Sequence, residues 1–218
     1  MSYNFESLQY LNKSEFSSLK KEIFNDEIYF FESDLKNPTI IDAGAYIGLS
    51  TLYFKQLYPG SKIYAIEPNP KAFEVLEANI LDNSLFNCIS INGALSKGEG
   101  EREFFIDKGD RNWNSTASFY KGTWQGGMDS IMINVRTFPL SGLLVEDIDL
   151  LKMDIEGAEF SVLREAESKL NCVKRLILEY HPVQGNSLKK LLKIVNSNFR
   201  NVQQRELGDG LILIEASK

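Results

Sequence analysis

The chain has 218 residues, 43% of them hydrophobic and 25% charged, which is enough for one domain and enough apolar material to bury a core. Twenty-four Lys and Arg against thirty Asp and Glu give a formal net charge of −6, and so acidic a chain lacks the basic footprint of a nucleic-acid binder. Cys88 and Cys172 make no disulfide framework, and with His181 as the single histidine no Cys/His zinc cluster can assemble.

The amino-terminal stretch MSYNFESLQYLNKSEFSSLKKEIF has neither the basic start nor the continuous apolar run of a secretory signal. No later window reaches the roughly 18 apolar residues of a membrane span, so a cytoplasmic protein is the expectation. Phe5, Leu8, Leu11, Phe16, Leu19 and Ile23 recur at helical spacing, predicting one or two amphipathic helices that cover a sheet edge or a neighbouring subunit. A homodimer is left open by that pattern. Ile28 to Phe31 reads as a short strand, and Asn37-Pro38 then breaks the chain. Residues 1–36 are thus expected to form a helical cap with a short strand, and residues 37–218 the main domain.

The compact apolar run Thr39 to Ala43 predicts a buried parallel strand. Strand and helix signals then alternate: a helix from Gly48 to Leu57, a strand over Lys62 to Ile66, a helix from Pro70 to Leu81 and a strand over Cys88 to Asn92. Such alternation implies right-handed βαβ crossovers and a doubly covered sheet. It breaks at a β-rich insert of about 98–138, where strands over Glu101 to Ile106 and Ile131 to Phe138 flank a polar stretch that includes Trp113 and Trp124. A loop so long is expected to act as a lid or binding loop. The pattern resumes with a helix over Pro139 to Val145, a strand over Leu150 to Asp154, a helix over Ala158 to Lys169, a strand over Val173 to Tyr180 and a helix over Ser187 to Val195. Val202 to Leu207 and Leu211 to Ala216 close the chain as an antiparallel hairpin around Gly208-Asp209-Gly210.

Four constellations carry chemistry. Asp42-Ala43-Gly44-Ala45-Tyr46-Ile47-Gly48 ends the first central strand; its glycines allow a tight turn and close approach to a ligand, and the following helix offers free N–H groups. It is a GxxxG rather than the GxGxxG of dinucleotide binders. Glu67, followed by Pro68, ends the second strand, where a carboxylate can accept two hydrogen bonds from a ribose diol. Lys152-Met153-Asp154-Ile155-Glu156-Gly157-Ala158-Glu159 delivers three carboxylates to a strand end, a costly placement unless a cation, a hydroxyl or solvent meets them. Leu178-Glu179-Tyr180-His181 ends the next strand and places the lone imidazole beside Asp154, as a candidate general base.

From about Asn37 to Tyr180 these blocks resemble the FkbM family of S-adenosylmethionine-dependent methyltransferases, the Lys-Met-Asp-Ile-Glu-Gly-Ala-Glu block being the most specific of them. The resemblance implies an α/β, Rossmann-like class I methyltransferase fold with a mostly parallel seven-stranded sheet, S-adenosylmethionine as cofactor, and O-methylation of a hydroxyl on a sugar or secondary metabolite. It further implies that Asp42, Gly44, Ala45 and Gly48 surround the methionine end of the cofactor. Glu67 and Pro68 would then meet the ribose, Asn92, Gly93 and Ala94 the adenine, and Asp154 the methyl-donor crevice. Tyr46 departs from the small polar residue common in relatives.

O-methylation asks for a base or a metal near the acceptor hydroxyl. Asp154, Glu179 and His181 are the clustered candidates, with His181 or Asp154 favoured as base and a magnesium ion on Asp154 and Glu179 as the rival arrangement. Trp113, Asn114, Ser115 and Glu156 are the candidates for holding a small polar acceptor. A nicotinamide-dependent oxidoreductase of the same fold class and a non-catalytic S-adenosylmethionine-binding protein are the competing readings.

Overall fold

The computed structural model describes residues 5–107, 115–121 and 130–218. In chain order the main elements are α1 (Lys13–Lys20), β1 (Thr39–Ala43), α2 (Leu49–Leu57), β2 (Lys62–Glu67), α3 (Pro70–Asp82), β3 (Cys88–Asn92), β4 (Ala94–Ser96), β5 (Gly100–Asp107) and β6 (Ser130–Pro139). They continue through β7 (Leu150–Met153), α4 (Glu159–Ala166), β8 (Arg175–Tyr180), α5 (Leu188–Asn198), β9 (Asn201–Gly208) and β10 (Leu211–Ser217).

Seven strands form one sheet in the order β3-β2-β1-β7-β8-β10-β9. The pairings from β3 through β8 are parallel, and β10 enters antiparallel to both β8 and β9. The registers place Ile40 of β1 between Ile63 of β2 and Leu150 of β7, and all three are buried. Strands covered on both faces need apolar residues on both, which is why β1 and β7 are mostly apolar, Asp42 and Lys152 being a buried, mutually paired exception. The strand order reverses between β1 and β7, and that switch point is where open α/β sheets bind ligands.

Local chemistry sets the element ends. Asn69 caps α3 by accepting from the Lys71 N–H, with Pro70 in the first turn. The Asn12 side chain accepts from the N–H groups of Ser14 and Glu15 and so starts α1. Helix α4 ends at Ala166 and tightens into a 3₁₀ segment, Glu167–Cys172. The helix expected over Pro139 to Val145 is only a 3₁₀ turn, Leu140–Gly142, whose buried Leu140 packs against the core beneath.

Ile28 to Phe31 is not a strand. Ile28 and Tyr29 lie in a turn closed by the Phe30 N–H donating to the Glu27 carbonyl, with Tyr29 and Phe31 buried and Phe30 47% exposed. That is the alternation of a strand, but its neighbours are side chains of the layer that also holds Phe54 and Ile177 rather than a pairing backbone. The amino-terminal helices likewise cover no sheet edge. Leu8, Phe16 and Ile23 join the cluster formed by α2, α3 and one face of the central strands, and Gln9 is tied to the Asn79 side chain of α3. Residues 5–31 thus complete the layer on that face and share its core with the domain that follows.

The insert forms a second sheet in the order β4-β6-β5. The returning segment around Ser118 bridges to Phe105, and Phe119 meets Phe104 edge-on.

Candidate active site

Beyond the carboxyl ends of β1, β2 and β7 lies a cleft lined by Gly44, Ala45, Glu67, Pro68, Asp154 and Glu156, at the place where open α/β sheets bind ligands. Gly44 opens it. At φ +77° this residue is in the left-handed region, and its N–H and that of Ala45 both donate to the Ile66 carbonyl of β2. Gly48, at φ +91°, stands before α2 against Leu76, turning the chain into the helix without a Cβ.

Glu67 lines the cleft, 6% exposed. Its Oε2 accepts from the Tyr46 N–H at 2.9 Å and its Oε1 from the Asn69 N–H at 2.7 Å. Each oxygen keeps accepting capacity, so the carboxylate is aimed and still able to receive a diol. Burial pushes its pKa up to about 7, against the pull of those two N–H groups. Asn92 stands behind this turn: its amide donates to the Glu67 carbonyl at 2.9 Å, and Gly93 N–H reaches the same oxygen. Both residues position Glu67 and Pro68 rather than line the cleft, whereas Ala94 does line it.

Asp42 faces inward. It is fully buried, and its Oδ2 accepts from the hydroxyls of Ser50 and Thr51, both at 2.7 Å. Its Oδ1 lies 3.4 Å from the Lys152 ammonium. Lys152 is the member of its block whose role the sequence did not disclose. Buried at the sheet's switch point, its Nζ donates to the Gly44 carbonyl at 2.7 Å and lies 3.9 Å from Asp154 Oδ2. One cation thus holds the glycine turn, the end of β1 and the end of β7 together.

Tyr29, contributed by the amino-terminal segment, lines the same cleft. Its hydroxyl donates to Glu179 and lies 3.4 Å from Asp154 Oδ2. Burial, reinforced by Glu179 and Asp154, holds that phenol well above its ordinary pKa, so it remains a donor. Burial likewise raises Glu179 to about 7, with Asp154 adding to the effect.

His181 is 3% exposed. Its Nδ1 lies 2.8 Å from Glu159 Oε1, and Nε2 lies 3.7 Å from Asp154 Oδ1 and 3.6 Å from Glu156 Oε2. Burial alone would pull the imidazole's pKa down, but Glu156, Glu159 and Asp154 outweigh it and hold the ring protonated well above its ordinary value. A ring that keeps its proton is a poor general base near neutrality. Glu159 is itself fixed, accepting from the Gly157 N–H at 2.8 Å and from the Asn186 amide. Asp154 is the more open carboxylate, its side chain 28% exposed into the cleft.

A strand-order switch point, a glycine turn and an aimed carboxylate can be set beside known proteins. The methyltransferase FkbM domain model matches residues 42–207. The chain belongs to the FkbM methyltransferase family. Methyltransferase sdnD of Sordaria araneosa is 30% identical over 203 residues, covering 78% of this chain and 76% of that protein. The 2-O-methyltransferase NoeI of Sinorhizobium fredii is 26% identical, covering 66% of this chain and 63% of its own length. Among solved structures, the FkbM methyltransferase of Methylobacillus flagellatus superposes with a TM-score of 0.61 at 15% identity, over 93% of this chain and 50% of that one. That last likeness speaks to the Rossmann-like fold alone.

In this FkbM-family chain the cleft brings together Gly44, Ala45, Glu67, Pro68, Ala94, Asp154, Glu156 and Ser115 of the residues singled out from sequence. Gly48, Glu179 and His181 stand one layer behind, with Asp42. Trp113, Asn114 and Trp124 lie outside the described residues. Ser115 is held by its N–H donating to Glu15 Oε1 at 2.8 Å, and the same Glu15 accepts from the Tyr46 hydroxyl at 2.6 Å. Tyr46, the departure at the turn, therefore links the glycine loop to α1. Among the described residues no helix is long and apolar enough to cross a membrane.

Proposed function

We propose that this protein is an S-adenosylmethionine-dependent O-methyltransferase acting on a hydroxyl of a sugar or secondary metabolite. The observation that carries the reading is Glu67, a buried carboxylate with one backbone N–H on each oxygen and its remaining acceptor capacity turned to the cleft. A ribose diol supplies the two donors such a group needs. Gly44 lines the same cleft, and the Asp154 backbone packed where its Cβ would stand keeps the ends of β1 and β7 close together there. The 2-O-methyltransferase among the relatives agrees with oxygen as the accepting atom.

S-adenosylmethionine, when bound, supplies a methyl group on a sulfonium: the acceptor oxygen gains the methyl, sulfur keeps the electron pair of the broken bond, and the hydroxyl proton departs. The chain's task is alignment, which can contribute about 7–11 kcal/mol, together with a destination for the proton. Asp154 is the carboxylate best placed to meet the hydroxyl, because it opens to the cleft while Glu179 holds the Tyr29 hydroxyl. The carboxylates of Asp154 and Glu156 also suit the cationic donor electrostatically.

The test is methyl transfer from isotopically labelled S-adenosylmethionine across a panel of sugars and hydroxylated metabolites. Labelled product from the wild type, lost in Asp154→Ala, is the expected result. A wild type that binds the cofactor without turning over any acceptor would favour the non-catalytic reading, and preferential binding of NAD would favour the oxidoreductase.

A further inference from the structure

Asp154 and Glu156 at the cleft meet His181 just behind them, a grouping that goes beyond the roles the proposed methyl transfer gives the two carboxylates. Asp154, Glu156 and His181 each offer one ligand atom, and the three atoms lie within 4.8 Å of one another. The separations from Nε2, 3.7 Å to Asp154 and 3.6 Å to Glu156, are longer than hydrogen bonds and are ion-pair distances while the ring is protonated. They suit atoms arranged around a common centre, since ligands about 2.0–2.2 Å from one ion stand roughly 3–4 Å apart.

A second, independent feature points the same way. Glu159 is fully buried, pinned by Gly157 and Asn186, and occupies His181 Nδ1 at 2.8 Å. A carboxylate on the far nitrogen of an imidazole fixes ring orientation, so that a cation displacing the proton on the near nitrogen would meet its lone pair aimed at the two carboxylates, the outer shell that metal-ligating histidines commonly have. The pairing of Asp154 with Glu179 has no such support, because the Tyr29 hydroxyl donates to Glu179.

We propose that Asp154, Glu156 and His181 form a divalent-metal site, with Glu159 as the residue that positions the histidine. A nitrogen among the ligands selects a transition ion such as Mn²⁺, Co²⁺ or Zn²⁺ over magnesium, which prefers oxygen alone. Three protein ligands leave open positions on the side that Asp154 and Glu156 present to the cleft, where an acceptor hydroxyl can coordinate and be acidified. The site is defined by its ligands, and its occupancy does not depend on the identity of the methyl acceptor.

The experiment is a titration of the chelator-treated full chain with Mn²⁺ and with Co²⁺ at pH 8, without cofactor or acceptor, followed by calorimetry and by the visible spectrum of cobalt. The expected result is one ion per chain with a cobalt spectrum indicating nitrogen ligation. Glu156→Gln and His181→Ala should each weaken binding at least tenfold, and Glu159→Gln about 10–100-fold. Circular dichroism identifies the folded variants; Glu156→Gln, at the cleft surface, keeps the test decisive if His181→Ala does not fold. Absence of saturable binding by the folded wild type would overturn the site, as would binding unchanged in Glu156→Gln. Binding lost in Glu179→Gln but kept in Glu156→Gln would move the ion to the other carboxylate pair and equally refute this ligand set. Methyl transfer by a protein that binds no ion would leave the enzymatic reading intact and remove the metal.

Discussion

A Cβ built on Gly44 would lie 1.8 Å from the backbone carbonyl oxygen of Asp154. The two residues follow adjacent strands β1 and β7, whose ends are joined by the Asp154 N–H donating to the Ala43 carbonyl at 3.1 Å. The obstacle is backbone, so no side-chain movement can relieve it.

Gly44→Ala therefore collides with β7 and also takes on the strain of a φ of +77°. Overpacking and left-handed strain together cost about 2–4 kcal/mol, a fall in Tm on the order of 5–10 °C for a chain of this length. Cofactor affinity should fall as well, because the strand ends are pushed apart at the switch point. Differential scanning fluorimetry with and without S-adenosylhomocysteine measures both effects.

Lys152 neutralises a buried pocket whose Asp42 is held on its other oxygen by Ser50 and Thr51. Lys152→Met keeps the volume and strands a buried carboxylate, which should cost about 3–5 kcal/mol. Asp42→Asn added to Lys152→Met should recover a measurable part of that loss, because the uncompensated charge is gone. Urea unfolding of the wild type, the two single variants and the double variant gives the coupling energy directly.

Much of the architecture was legible in the sequence. The alternating runs from Thr39 onward matched the parallel strands because strands buried on both faces must be mostly apolar. The GxxxG turn, Glu67 and the Asp154 block all arrived at one sheet edge because parallel strands end there together. What was not legible depended on pairings distant in the chain. Tyr29 finds Glu179 through the folding of the amino-terminal segment across a sheet face, and no local pattern distinguishes that tyrosine from a core aromatic. Asp42 was singled out at the glycine turn, but its Oδ2 bonds to Ser50 and Thr51 in the first turn of α2 were not. Asn92 likewise supports the Glu67 turn with its side-chain amide, a task that composition does not reveal. Ile28 to Phe31 reads like a strand because Tyr29 and Phe31 are buried either side of an exposed Phe30, a pattern that a turn leading into loop also produces.

Tyr29→Phe removes a donor and leaves Glu179 buried without it. The expected cost is about 1–3 kcal/mol, and because Tyr29 also fastens residues 5–31 over the cleft, limited proteolysis should cut the amino-terminal segment faster in the variant. Equal proteolysis rates would show that apolar packing of Phe16, Ile23 and Phe31 suffices to hold it.

Glu67 ties ligand binding to pH. Its pKa in the fold is about 7 against an ordinary value of 4.5, raised by burial. Between those values the folded chain binds a proton that the unfolded chain does not, so this group's contribution to stability is fully present at low pH and is lost as pH rises through about 7. A diol donating to the carboxylate favours its ionised form, so binding should expel the proton. Calorimetry at pH 6.5 in buffers of different ionisation enthalpy should record a fraction of a proton released per S-adenosylhomocysteine bound, and markedly less in Glu67→Gln.

The most direct measurement for the central claim is equilibrium binding of S-adenosylmethionine to the wild type and to Glu67→Ala at pH 8, with folding of both checked by circular dichroism. Saturable binding by the wild type, weakened at least tenfold in the variant and not displaced by NAD, is the predicted result. Equal affinity in the two proteins, or no binding by the folded wild type, would contradict the assignment of this cleft to the cofactor.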